Sequence, residues 1–96
     1  MTLEELRAAK RNEILRLAAK RGARNVRVFG SLARGEHSPT SDIDFLVELE
    51  PDRTLMDLGG LLMDLRDALQ TQVDVTTVAM LRPSVREKAL AEATPL

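Results

Sequence analysis

The sequence predicts an α+β domain: a small mixed β-sheet covered by helices, in the order helix, strand, short helix or loop, strand, helix, strand, helix. Two patterns and the length carry this expectation. Three segments repeat apolar residues at the helical period, and three shorter ones read as strands. A chain of 96 residues has room for one hydrophobic core, so residues 1–96 are expected to form a single domain.

Residues 2–21 read as the first helix. Thr2 is its N-cap, and Glu5 three positions later completes a capping box. Leu3, Leu6, Ala9, Ile14, Leu17 and Ala18 lie along one stripe, and Gly22 supplies the stop. Residues 25–30 (NVRVFG) form a short strand with Val26 and Val28 on one face. A polar stretch from Ser31 to Ser41 follows, with room for one helical turn before Gly35. Residues 42–48 (DIDFLVE) are the clearest strand. Ile43, Phe45 and Val47 point one way; Asp42, Asp44, Leu46 and Glu48 point the other.

After a turn at Pro51-Asp52-Arg53, Thr54 with Asp57 opens a helix that runs to about Leu69. Leu58, Leu61, Leu62, Leu65 and Leu69 give it one buried stripe. Gly59-Gly60 inside it costs about 1 kcal/mol per glycine relative to alanine, tolerable where a backbone must pass close by. Residues 72–78 (QVDVTTV) form the third strand. Pro83 at a first helical position opens a last helix to about Glu92, with Val85, Ala89 and Leu90 apolar. The helix between the second and third strands suggests a parallel crossover; the shorter link between the first two leaves their direction open.

Composition excludes several function classes. An apolar fraction of 44% with 30% charged residues is that of a folded, water-soluble chain. The two aromatics are Phe29 and Phe45, which disfavours stacking of bases on an aromatic platform. No apolar run reaches membrane-span length, and the start of the chain (Glu4, Glu5, Arg7, Lys10, Arg11) is unlike a secretory signal. With no cysteine there is no disulfide, thiolate nucleophile or cysteine-based zinc site. A cytoplasmic location without a membrane partner is expected. The net charge of −1 hides +5 over residues 1–27 and −8 over residues 36–74. Either these are solvated helix faces, or the acidic middle holds cations and the basic start meets an acidic partner or phosphates.

Asp42 and Asp44 lie two apart on a strand and therefore on one face, with no adjacent Lys or Arg to neutralise them. Such a pair is either exposed or binds cations. Asp74 sits between Val73 and Val75 in the third strand, where a carboxylate is costly unless exposed or paired. If the third strand neighbours the second, Asp74 completes an all-oxygen triad suited to Mg²⁺ or Mn²⁺. Gly30-Ser31 ends the first strand with a bend, a hydroxyl and free amides, features able to hold a phosphate; Arg34 follows close by. His37 reads as solvent-facing, and Ser41 as a brace for the loop. No P-loop or dinucleotide fingerprint is present.

The run Gly30-Ser31-Leu32-Ala33-Arg34-Gly35 followed by Ser41-Asp42-Ile43-Asp44 resembles the signature of the DNA polymerase β-like nucleotidyltransferase superfamily. On a chain this short it looks most like the minimal nucleotidyltransferase domain, whose members occur as antitoxins beside HEPN-domain toxins. The resemblance implies the polymerase β-like fold and a Mg²⁺-dependent transfer of AMP from ATP to a hydroxyl of a partner protein, a HEPN-type RNase toxin that it neutralises. It implies that Asp42 and Asp44 ligate two metal ions. Asp74 would ligate the catalytic ion and help activate the attacking hydroxyl. Gly30 and Ser31 would bind the β- and γ-phosphates, with Arg34 part of the same pattern. The alternative is a non-catalytic antitoxin that blocks its partner by contact alone. Direct nucleic-acid binding is not expected from a near-neutral chain without a reader motif.

Overall fold

The computed structural model describes all 96 residues, Met1 to Leu96. Helix α1 spans Leu3–Lys20, strand β1 Ala23–Phe29, β2 Ile43–Leu49, α2 Leu55–Leu69, β3 Val73–Thr76, α3 Pro83–Glu92 and β4 Thr94–Pro95. A single 3₁₀ turn, Val78–Met80, lies between β3 and α3. Both capping boxes form: Thr2 with Glu5 at α1, and Thr54 with Asp57 at α2. Gly22 ends α1 with φ of 73°, and the space left by its missing side chain is filled by Arg53.

The strands form one mixed sheet in the order β3-β2-β1-β4. β1 runs antiparallel to β2, which settles the direction that the short link left open, and β3 runs parallel to β2 after the α2 crossover. β1 carries a bulge between Arg24 and Arg27, where Asn25 adopts φ of 51° and its side-chain amide donates to Glu48. The two-residue β4 pairs with β1 and has no counterpart in the predicted elements.

Each face of the sheet is covered. On one face, Val28, Ile43, Phe45, Val47, Val73 and Val75 pack with Leu6, Ile14 and Ala18 of α1 and Leu58, Leu61, Leu65 and Leu69 of α2. On the other, Phe29 and Leu46 meet Ala89 of α3, with Val78, Leu81 and Ala93 around them. Leu46 shares the strand face of Asp44 yet is fully buried, because α3 and the 3₁₀ turn close over that end of the sheet.

Three expectations need correction. Residues 77–78 leave the third strand, and Val78 opens the 3₁₀ turn instead. Val85 and Leu90 are exposed at 44% and 41%, so Ala89 alone anchors α3 in the core. The neighbour that crosses Gly60 is a side chain rather than a backbone. A Cβ there would lie 2.6 Å from the Arg21 guanidinium, which pairs with Asp64 at 2.9 Å. Gly59 has open space where its side chain would be.

Candidate active site

The sheet register builds the site. Asp44 stands opposite Phe29 of β1 on one side and Asp74 of β3 on the other. These positions share the sheet face beneath α3, so a row runs across three strands from Asp74 through Asp44 to the end of β1. At that end the chain turns at Gly30, whose φ is 75°. A Cβ on Gly30 would collide with the Asp44 carboxylate. Glycine is thus required twice over, by the left-handed turn and by the carboxylate seated on it.

From Gly30 the chain makes a single helical turn that is not continued. The Arg34 amide donates to the Gly30 carbonyl at 3.1 Å, and the Glu36 amide to the Ser31 carbonyl at 2.8 Å. Leu32 anchors the turn in the core at 2% exposure, which leaves Ser31 and Arg34 at the surface of the site. Ser41 braces the far end of the loop as expected: its hydroxyl accepts from the Ser38 amide at 3.3 Å and bonds the Ser38 hydroxyl at 2.8 Å. His37 is not solvent-facing. It is half-buried, and its Nδ1 is shielded without a partner.

These elements enclose a cavity of about 490 Å³, lined by Gly30, Ser31, Arg34, Asp42 and Asp44 among others. Five of the six residues to which the family resemblance gives a role therefore share one cavity. Asp74 does not line it. Its side chain is exposed on edge strand β3, beside Asp44 but outside the cavity wall. No three acidic side chains stand ready-made as a metal cluster.

Electrostatics mark Asp44 as the strained member. Burial above all, together with the neighbouring charges of Asp74 and Asp42, raises its carboxyl from the ordinary 3.8 to about 6. A half-buried carboxylate beside two others, held by the fold without a compensating cation of its own, is a donor set that fits a hard divalent ion. Arg34 is the only basic group that eases Asp44, and it is itself held by Glu36 at 3.0 Å and Glu92 at 3.1 Å.

Sequence reasoning missed the second wall of the cavity. Val85, Lys88, Ala89 and Glu92, all on α3, line it together with Thr40. Their spacing of three, four and seven from Val85 is one helix face. That spacing was the available signal, and the charged pair Lys88 and Glu92 lies on it.

A family model described as a nucleotidyltransferase domain matches residues 11–96. The chain belongs to the nucleotidyltransferase domain family. Membership makes it an enzyme of the nucleotidyl-transferring class and accounts for the glycine-serine turn facing paired carboxylates. Among curated relatives, "Putative protein adenylyltransferase MJ0435" of Methanocaldococcus jannaschii is 37% identical over 86% of this chain and 89% of its own length. "Protein adenylyltransferase MntA" of Thermococcus cleftensis is 32% identical over 96% of this chain and 93% of its own. A solved nucleotidyltransferase, "Structure of putative minimal nucleotidyltransferase", is 48% identical with a TM-score of 0.86, over 100% of this chain and 97% of that one. The "Crystal structure of the toxin-antitoxin with AMP-PNP" shares the fold, with a TM-score of 0.74 at 21% identity, over 88% of this chain and 69% of that one.

Proposed function

We propose that this chain is a Mg²⁺-dependent adenylyltransferase that moves AMP from ATP to a hydroxyl of a partner protein, a HEPN-type RNase toxin, and neutralises it as an antitoxin. The observation that carries the reading is the crowding of Asp44. It sits on the Gly30 turn, opposite Asp74 and near Asp42, in a cavity of about 490 Å³. Relatives named protein adenylyltransferase and MntA support the adenylyl group and the antitoxin context.

Asp42, Asp44 and Asp74 would hold the Mg²⁺ ions in this reading, two being expected, and Mn²⁺ would suit the same oxygen donors. When bound, the metal would supply acidity to the acceptor hydroxyl and charge neutralisation for the leaving pyrophosphate. The chain does the rest by position. The Gly30 amide and the Ser31 hydroxyl hold the β- and γ-phosphates, and Arg34 balances their charge. The acceptor oxygen bonds to the α-phosphorus in line with the departing pyrophosphate oxygen, and the bond to that oxygen breaks. The hydroxyl proton passes to the exposed Asp74 carboxylate. Asp74 is exposed beside the cavity rather than inside it, which suits an acceptor delivered by another molecule. The chain has no tyrosine, so self-modification on that residue type is excluded.

The test is transfer of label from α-³²P-ATP to a co-expressed HEPN partner, with Asp42→Ala and Asp44→Ala alongside. Label should fall by at least about a hundredfold in each variant, the scale of losing a central electrostatic group. Label that persists unchanged in both overturns the assignment of the site. A double variant that still protects cells fully overturns catalysis as the means of neutralisation and leaves contact alone.

A further inference from the structure

Glu92 is the best-connected side chain of the cavity, and nothing in the proposed chemistry employs it. Its carboxylate is 15% exposed although it lies at the end of an otherwise solvent-washed helix. It accepts the Gly30 amide at 3.2 Å. It accepts Arg34 Nη1 at 3.1 Å on both oxygens, and Lys88 Nζ lies 3.9 Å away. The Gly30 amide has no backbone carbonyl as partner; Glu92 is its one acceptor. An amide, a guanidinium and an ammonium converging on two carboxylate oxygens make the environment that a phosphate group seeks.

We infer that the Glu92 carboxylate is an internal stand-in for phosphate. It occupies the anion position of the Gly30 turn in the free enzyme, and the triphosphate must displace it to bind. The donors are those assigned to the nucleotide under the proposed function, so the inference rests on that reading. Two anions cannot share one amide hydrogen, and a carboxylate left beside a triphosphate would repel it. On displacement Glu92 keeps Lys88, four residues earlier on the same helix, as its cation. α3 can yield because a single side chain, Ala89, seats it in the core. Glu92 is therefore a residue that sets nucleotide affinity, not a catalytic one. Before ligand arrives it keeps the Gly30 amide and Arg34 pointed into the cavity.

The experiment measures dissociation constants for ATP and for inorganic tripolyphosphate, in buffer containing MgCl₂, on the wild-type chain, Glu92→Gln and Glu92→Ala. Circular dichroism checks that each variant is folded. Glutamine retains an oxygen for the Gly30 amide but drops the charge. Both ligands should bind Glu92→Gln about tenfold more tightly than wild type, equivalent to about 1.4 kcal/mol. Glu92→Ala should also bind more tightly if it folds. A purely structural brace predicts the opposite, equal or weaker binding together with lost stability, and that result overturns the inference while leaving the nucleotide site intact. Failure of both ligands to bind any of the three proteins overturns the site itself and the inference with it.

Discussion

Replacing Asp44 with asparagine should stabilise the metal-free protein while disabling it. Asp44 titrates at about 6 in the fold against an ordinary 3.8. Because the folded value is the higher one, the fold prefers the protonated form. Ionised Asp44 therefore lowers stability above about pH 6, and the penalty fades as pH falls from about 6 towards 3.8. At about 1.4 kcal/mol per pH unit the gap corresponds to at most about 3 kcal/mol. The side chain is half open to water, so screening reduces this to about 1–1.5 kcal/mol. For a domain of this size that is a rise of about 5–10 °C in melting temperature for Asp44→Asn at about pH 8. The chain has no tryptophan or tyrosine, so the melts are best followed by far-ultraviolet circular dichroism, in EDTA, from about pH 8 to about pH 5. Wild type should gain stability towards the acid end of that window and the variant should not. Adding MgCl₂ at about pH 8 should close most of the difference by stabilising wild type alone. A variant that melts at or below wild type in EDTA, or a wild-type melting temperature flat across the window, refutes the reasoning.

Two stability predictions follow from the glycines. Gly30→Ala forces a side chain into φ of 75° and against the Asp44 carboxylate, and should cost about 1–3 kcal/mol in urea titrations, with loss of ATP binding. Gly59→Ala fills open space at an exposed position of α2 and should gain about 0.5–1 kcal/mol. Gly60→Ala should gain less than Gly59→Ala, because the Arg21 guanidinium must shift away from its place beside Asp64.

Much of this architecture is legible in the sequence because its signals are local. Thr2 with Glu5 and Thr54 with Asp57 announce their helices three residues ahead, and both boxes form. Pro83 opens α3 at the residue expected. The leucine stripe of α2 and the alternation in β2 likewise need nothing beyond their own period. What escaped depends on contacts distant in sequence. β4 is two residues long and exists through pairing with β1, more than sixty positions earlier. The polar-side burial of Leu46 requires α3 overhead. At the site, Gly30, Ser31, Asp42 and Asp44 are readable because they cluster within fifteen residues, and they do share a cavity. Glu92 is invisible at that range: its hydrogen bond to Gly30 spans 62 positions. Asp74 was expected to converge with the other two. The register puts it beside Asp44, whose carboxyl feels its charge, although Asp74 is exposed and does not line the cavity.

The margins of the sheet restrict how another protein can approach. On one side lies β3, four residues long with a carboxylate at its centre; on the other lies β4, two residues long and ending in Pro95, which has no amide hydrogen to offer. Neither margin is a template on which a visiting chain could add a strand. Under the proposed function, a protein substrate is recognised through side chains, across the helices and the mouth of the cleft. Its specificity is then written in surface shape and charge, free to diverge between relatives that keep the same backbone.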